Sequence, residues 1–353
     1  MTPAPQNTSP LISWPPPRCR DIARVACCGA VLLFVTIGSA IAEPNTRWRI
    51  NTRGLPWNAH EPPPIERERN DQWVEVDWEQ FAQTPGAVVF YVHGNRTPSY
   101  LADRRADEIF NALSAEDSQI RFVIWSWPSD RVKGQIRDVR VKAARTEVES
   151  RLMAAFLDRL PPDVDLRFIS YSYGARIISG AIDRAALPTT IADGDGDDAT
   201  VGGELATAGV VRQQTSARAV MLAAAIHSHW LRPGQRHETT VPKLDHLLIL
   251  YNVCDPALKR YRFVERCARP QALGYRGLYV DDHPVLFARV AQQNVSGWVG
   301  KTHAEMSYWR SPDLVDSIRE ALFPGPAITA TSPATPNQVA ATPAVESSAP
   351  ANR

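Results

Sequence analysis

Short continuous apolar runs alternate along this chain with longer stretches whose apolar residues recur at helical spacing. The runs at 87–92, 120–125, 165–170, 219–224 and 246–251 are rich in Val, Ile, Leu and aromatic residues and polar-free for most of their length, the pattern of strands buried on both faces. A helical pattern near 99–113 follows the first run. A longer one, from about 133 to about 160, follows the second: Ile136, Val139, Ala143, Val148, Leu152, Phe156 and Leu160 fall on one face and Pro161-Pro162 stop it. Further helices are expected after the third run, to about Ala186, and near the end, from about Pro312 to Leu322. Strands alternating with helices predict a doubly wound, mostly parallel α/β sheet with helices on both faces. Ahead of this core, Trp48, Trp57, Trp73 and Trp78 stand among prolines and charges, and the alternation from Trp73 to Trp78 predicts an edge strand or hairpin arm. We read 43–85 as an N-terminal extension packed against the sheet with tryptophans as anchors, carbohydrate stacking being the alternative use of those rings.

The third run ends in Ser170-Tyr171-Ser172-Tyr173-Gly174-Ala175, where a strand turns through small residues into a helix around one serine. A serine nucleophile raised above a sheet needs such a turn, with small residues two positions before and after it. Ser170 and Gly174 fill those positions, so the motif is S-x-S-x-G where G-x-S-x-G is common. Three further segments fall in an order that suits Ser172. The first run empties into His93-Gly94-Asn95, the place of an oxyanion loop; the fifth is followed by Asn252-Val253-Cys254-Asp255, which sets a carboxylate at a strand's C-terminal end; and His303 comes late, before the last helix. The sequence Ser, Asp, His differs from the orders of the chymotrypsin and subtilisin types. His283 with Asp281-Asp282 forms a reserve pair.

These motifs resemble the α/β-hydrolase superfamily, and within it a bacterial branch of unassigned substrate. That branch carries an H-G-x loop (here His93-Gly94-Asn95), a W-P-S segment (Trp127-Pro128-Ser129), the S-x-S-x-G elbow and an N-x-x-D-x-A-L acid loop (Asn252 to Leu258). The resemblance runs from about Gly86 to about Phe323 and implies an α/β-hydrolase fold and a serine hydrolase, without bringing a substrate.

The two ends differ from the core. Arg18, Arg20 and Arg24 precede an uncharged stretch from Val25 to Ala42 that closes in Ala40-Ile41-Ala42, the pattern of a secretory signal cleaved after Ala42. Export to the periplasm or beyond is therefore expected, an uncleaved signal anchored in the inner membrane being the alternative. Cys27 and Cys28 lack the preceding apolar core of a lipoprotein signal. From Pro324 to Arg353 the chain is Pro, Ala, Thr and Ser with few large apolar residues, which predicts a disordered tail. The expected organisation is thus 1–42 targeting segment, 43–85 extension, 86–323 hydrolase domain and 324–353 tail.

Composition removes several classes. The formal net charge is +1, and no basic stripe interleaved with aromatics speaks for nucleic acid. Of the 5 cysteines only Cys254 and Cys267 follow the targeting segment; in an exported chain they predict a disulfide, with two unpaired thiols as the alternative. His227-x-His229 is a weak zinc signal without a third ligand, and we read it as a loop at the pocket mouth. The acidic stretch 193–204 echoes a calcium loop but has Asp198 where glycine is needed, so it reads as a flexible loop near the rim. Neither a metal nor a cofactor is expected.

Together these readings predict cleavage of a small-molecule or lipid-like ester. Ser172 would be the nucleophile, His303 the general base and Asp255 its orienting partner, with the backbone N–H groups of Tyr173 and Asn95 as oxyanion donors. Two alternatives stay open: a catalytically silent binding module on the same fold, and transacylation onto an envelope acceptor by the same residues.

Overall fold

The computed structural model describes residues 45–59, 62–114, 119–189, 216–264, 269–280 and 283–324. The targeting segment, the acidic stretch 193–204, Cys267, Asp281-Asp282 and the tail beyond Pro324 lie outside the described residues. Among the described residues no helix is long and apolar enough to cross a membrane.

Among the described residues nine strands form one sheet: β1 (Thr46–Asn51), β2 (Ile65–Arg69), β3 (Gln72–Val76), β4 (Ala87–Val92), β5 (Ile120–Ser126), β6 (Leu166–Tyr171), β7 (Ala217–Leu222), β8 (His246–Tyr251) and β9 (Val290–Asn294), in the spatial order β3-β2-β1-β5-β4-β6-β7-β8-β9. Only β1/β2 and β2/β3 are antiparallel; every other pair is parallel. Five helices cover the sheet or position the site: α1 (Trp78–Gln83), α2 (Ser99–Leu113), α3 (Gln135–Asp158), α4 (Gly174–Arg184) and the closing helix Pro312–Leu322. This mostly parallel sheet with crossover helices is the α/β-hydrolase arrangement, with β6 running into a sharp turn and α4.

Central strands β4 and β5 carry no solvent-facing side, which is why they read as unbroken apolar runs. Their residues Val88 to Val92 and Phe122 to Trp125 are fully buried. Phe90 stacks on Phe168 of β6 and meets Phe156 of α3 edge-on, so one aromatic cluster ties sheet to helix. From β4 the chain passes to β5 on one side, then returns to β6 on the other. The crevice outside the carboxyl ends of β4 and β6 is therefore the point where strand order reverses, the favoured place for a ligand in such sheets.

Two differences from the sequence reading bear on the site. Residues 46–76 are not an extension laid on the sheet; they supply β1, β2 and β3, with β1 hydrogen-bonded in parallel to β5. Trp48 and Trp78 are anchors as expected, around Phe81, while Trp57 is half-exposed and Trp73 lies under the Arg49 guanidinium. The expected apolar face of α3 also changes character along its length. Val148, Leu152, Phe156 and Leu160 are buried in the core, but Ile136 is 57% exposed and Val139 lines a cavity. The middle of α3 instead buries a polar knot, in which Glu149 accepts from Arg145 Nε at 2.7 Å, Thr52 Oγ1 at 2.7 Å and Trp125 Nε1 at 2.9 Å.

Candidate active site

The turn after β6 places Ser172 at φ 52°, in the left-handed region that a β-carbon disfavours. Packing holds it there. A β-carbon on Gly174 would stand 2.1 Å from the Val92 carbonyl oxygen, and one on Gly94 would stand 2.7 Å from the Tyr171 ring and 3.1 Å from Ser172 Cβ. The ends of β4 and β6 can meet so closely only because both positions are glycine. Ser170 needs no such freedom. It is the fifth residue of β6, fully buried, and its hydroxyl donates to the Val220 carbonyl at 3.4 Å, which explains why serine is tolerated there.

Three side chains from three separate loops then form a line. Ser172 Oγ is 3.0 Å from His303 Nε2, and His303 Nδ1 is 2.6 Å from Asp255 Oδ2. Asp255 is fully buried, and its other oxygen accepts the backbone N–H groups of Ala257 at 2.8 Å and Leu258 at 3.0 Å. Those bonds fix the carboxylate in one rotamer. With Nδ1 facing a carboxylate acceptor, Nδ1 carries the proton and Nε2 presents its lone pair to Ser172; the tautomer follows from the partners. Such a line can take a proton from the serine hydroxyl and return it to a leaving group.

The His93-Gly94-Asn95 loop is held from below and from the side. His93 is fully buried against Trp127, whose indole donates to the His93 carbonyl at 2.9 Å. Its Nδ1 lies 3.0 Å from the Gly94 carbonyl, and Arg53 Nη2 approaches Nε2 at 3.2 Å. Burial, reinforced by the Arg53 charge, pushes the imidazole down to about 3, so His93 is neutral, donating through Nδ1 and accepting at Nε2. Next in the loop, the Asn95 side chain donates to Asp138 Oδ2 at 3.1 Å and Arg96 Nε donates to the same oxygen at 2.7 Å. Among the described residues the backbone N–H groups of Asn95 and Tyr173 have no protein acceptor. Tyr173 heads α4, where the helix leaves its first N–H groups unpaired.

Beside this line opens a cavity of about 610 Å³. Ser172, His303, Asn95 and Tyr173 border it, and Val139, Leu258 and Val264 supply much of its apolar wall.

Comparison with other proteins adds only distant likenesses. No protein-family model matches the chain, and no curated protein matches it. Among solved structures, a Listeria innocua gene product is 10% identical over 69% of this chain and 96% of its own, with a TM-score of 0.35. Zea mays acyl-protein thioesterase 2 is 13% identical over 67% of this chain and 91% of its own, with a TM-score of 0.33. An esterase B of Lactobacillus rhamnosis is 10% identical over 79% of this chain and 86% of its own, also at 0.33. At these distances no activity is carried over from them.

Other expected features fall elsewhere. His227 and His229 do not border the cavity. His227 is buried against Trp230 and Tyr261, and burial pushes it down to about 3. Among the described residues no group of three His, Cys, Asp or Glu gathers as a metal would require. His283 opens the short turn Pro284–Phe287 and does not border the cavity either. Cys254 is exposed and has no bridge among the described residues; since Cys267 lies outside them, so does the bridge expected between the two.

Several residues around the site carried no signal in the sequence. Asn252, in the sequence only the first residue of the acid-loop motif, donates through Nδ2 to the Gly300 carbonyl at 2.8 Å and to that of Thr302 at 3.4 Å, tying the Asp255 loop to the His303 loop. Glu305 is buried behind the histidine, accepting from Tyr91 Oη at 2.8 Å and Arg105 Nη1 at 2.9 Å; burial raises its carboxyl to about 7. Tyr171 donates to the His303 carbonyl. Each such contact joins residues far apart in sequence.

Proposed function

We propose that this protein is a serine hydrolase that cleaves an ester by acyl transfer to water. Ser172 attacks the carbonyl carbon while His303 Nε2 takes its proton. His303 then protonates the departing alcohol, and water repeats the two steps on the acyl-enzyme. Asp255 keeps the imidazole in the reactive tautomer and stabilises the imidazolium that forms. The backbone N–H groups of Tyr173 and Asn95 receive the developing oxyanion, the former at the positive end of α4.

What carries this reading is the unbroken line Ser172–His303–Asp255 at 3.0 Å and 2.6 Å on the rim of a half-apolar cavity. The cavity size is in the range that small-molecule sites occupy, about 300–1,000 Å³. Export of the chain, with maturation after Ala42, remains part of the proposal and rests on the sequence of residues 18–42 alone.

The test is hydrolysis of 4-nitrophenyl butyrate by the parent, Ser172→Ala, His303→Ala and the double variant. Residues acting as one unit lose activity non-additively, so all three variants should fall to a similar floor, about a thousandfold or more below the parent. Full activity in Ser172→Ala would end the proposal.

A further inference from the structure

We propose that the ester processed at Ser172 carries an anionic group, received by Arg260 and Arg96 above the apolar wall of the cavity; this rests on the reading of Ser172 as nucleophile. Among the described residues that border the cavity there are three arginines, Arg96, Arg105 and Arg260, and no carboxylate. Their charges are answered unequally. Arg105 is paired with Glu305 at 2.9 Å. Arg96 reaches Asp138 only through Nε, at 2.7 Å, which leaves both terminal nitrogens of its fork for the cavity. Arg260 is exposed, and its guanidinium has neither ion pair nor hydrogen bond among the described residues.

The carboxylates nearest the site are engaged elsewhere and offer no free oxygen to Arg260. Asp255 is saturated by His303 and two amides, and Asp138 by Arg96, Asn95 and the Val132 N–H at 2.8 Å. Both are fully buried. The cations continue outward on the two elements that frame the mouth: Lys259 and Arg262 flank Arg260 on the 3-10 turn Leu258–Phe263, and Arg131, Lys133 and Arg137 are exposed around the start of α3. A cleft of one sign with low-dielectric walls concentrates counter-ions, and the guanidinium fork suits a carboxylate or phosphate. A substrate for this mouth also needs an apolar body. Ile136 and Phe263 border the cavity with 57% and 53% of their surface exposed, a cost that an apolar chain between them would remove. The ligand class is an ester that joins a short apolar chain to a carboxylate or phosphate.

Three 4-nitrophenyl esters of matched length decide it: the neutral hexanoate, the mono-ester of adipic acid and the 5-phosphonopentanoate. The parent should favour at least one anionic ester over the neutral one by about tenfold in kcat/KM at low salt, and the ratio should shrink at about 0.5 M NaCl as the charges are screened. Which anionic ester leads tells carboxylate from phosphate. Arg260→Glu should bring the anionic-to-neutral ratio to one or below. Arg151→Gln, an exposed α3 residue that does not border the cavity, should leave it where it was. A parent ratio of one or less, or an unchanged ratio in Arg260→Glu, would overturn the inference and leave the hydrolase reading standing. Turnover of none of the three esters while Ser172 still reacts with a fluorophosphonate would likewise overturn the inference alone. No turnover and no labelling would remove both.

Discussion

Asn252 Nδ2 lies 2.8 Å from the carbonyl oxygen of Gly300, so the loop that carries Asp255 and the loop that carries His303 are joined by a side chain belonging to neither role. The same residue's Oδ1 accepts the Cys254 N–H at 2.9 Å. Asn252→Asp keeps that acceptor but replaces the donor, whereas Asn252→Ala loses both. An unmade hydrogen bond of this kind costs about 1 kcal/mol in stability, but an ångström of drift in His303 costs about a hundredfold in rate. Asn252→Ala should therefore unfold within a few degrees of the parent, Asn252→Asp, which buries a carboxylate against two carbonyl oxygens, should lose more, and both should lose at least about tenfold in kcat/KM. A variant with parental turnover would show that the two loops hold their positions without the bridge.

Gly174 tests how tightly the elbow is made. Its missing β-carbon would otherwise stand 2.1 Å from the Val92 carbonyl oxygen, and backbone cannot swing aside as a flexible side chain can. Gly174→Ala should cost about 1–3 kcal/mol through forced movement of β4 against β6, with a matching drop in thermal midpoint and in turnover. Gly234, with no atom within 4 Å of its β-carbon position but φ 72°, would suffer only local turn strain from alanine and serves as the comparison. Equal midpoints for the two variants would contradict the close approach.

Acid should destabilise the fold, for a definable reason. His93, His227 and His237 are each pushed down to about 3 by burial, with arginines nearby adding to the effect. Their folded forms refuse a proton that the unfolded chain accepts near 6.5, so the stability they confer is full above that value and is lost as pH falls toward 3. Glu305 acts in the opposite sense. Its carboxyl, held up at about 7, keeps a proton that the unfolded chain releases near 4.5, so its contribution declines as pH rises between those values. Three groups outweigh one. Denaturant midpoints should fall from pH 7.5 to pH 5, and Glu305→Gln, which removes the opposing contribution, should steepen the fall. A flat profile in the parent, or a shallower one in the variant, would show that these groups are not held as the structure places them.

Much of the fold was readable because the central strands have no wet face. β4, β6 and β8 announce themselves as short apolar runs, and the closing helix by its amphipathic period and Pro312. The strands that escaped notice had other reasons for being strands. β1 alternates buried Thr46, Trp48 and Ile50 with Arg47 and Arg49, whose charges are met by Asp107 and Asp103 of α2. β2 and β9 read Ile-Glu-Arg-Glu-Arg and Val-Ala-Gln-Gln-Asn, one ladder of ion pairs and one polar edge, and neither pattern separates strand from loop without its partners. The site divides in the same way. Ser172, Asp255 and His303 were legible because each follows a recognisable element in a fixed order, and the structure brings the three together. Arg53, Glu305 and Asp138 were not, since nothing local in sequence says that a residue after β1 reaches His93, or that one on α3 holds Asn95 and Arg96.

The most direct measurement is the mass of the protein after exposure to a fluorophosphonate, followed by peptide mapping, for the parent, Ser172→Ala and His303→Ala. The account predicts one adduct per parent chain, located on Ser172, no adduct in Ser172→Ala, and labelling slowed about a hundredfold or more in His303→Ala, where no base takes the proton. An adduct on another residue, or labelling of Ser172→Ala at the parental rate, would contradict it.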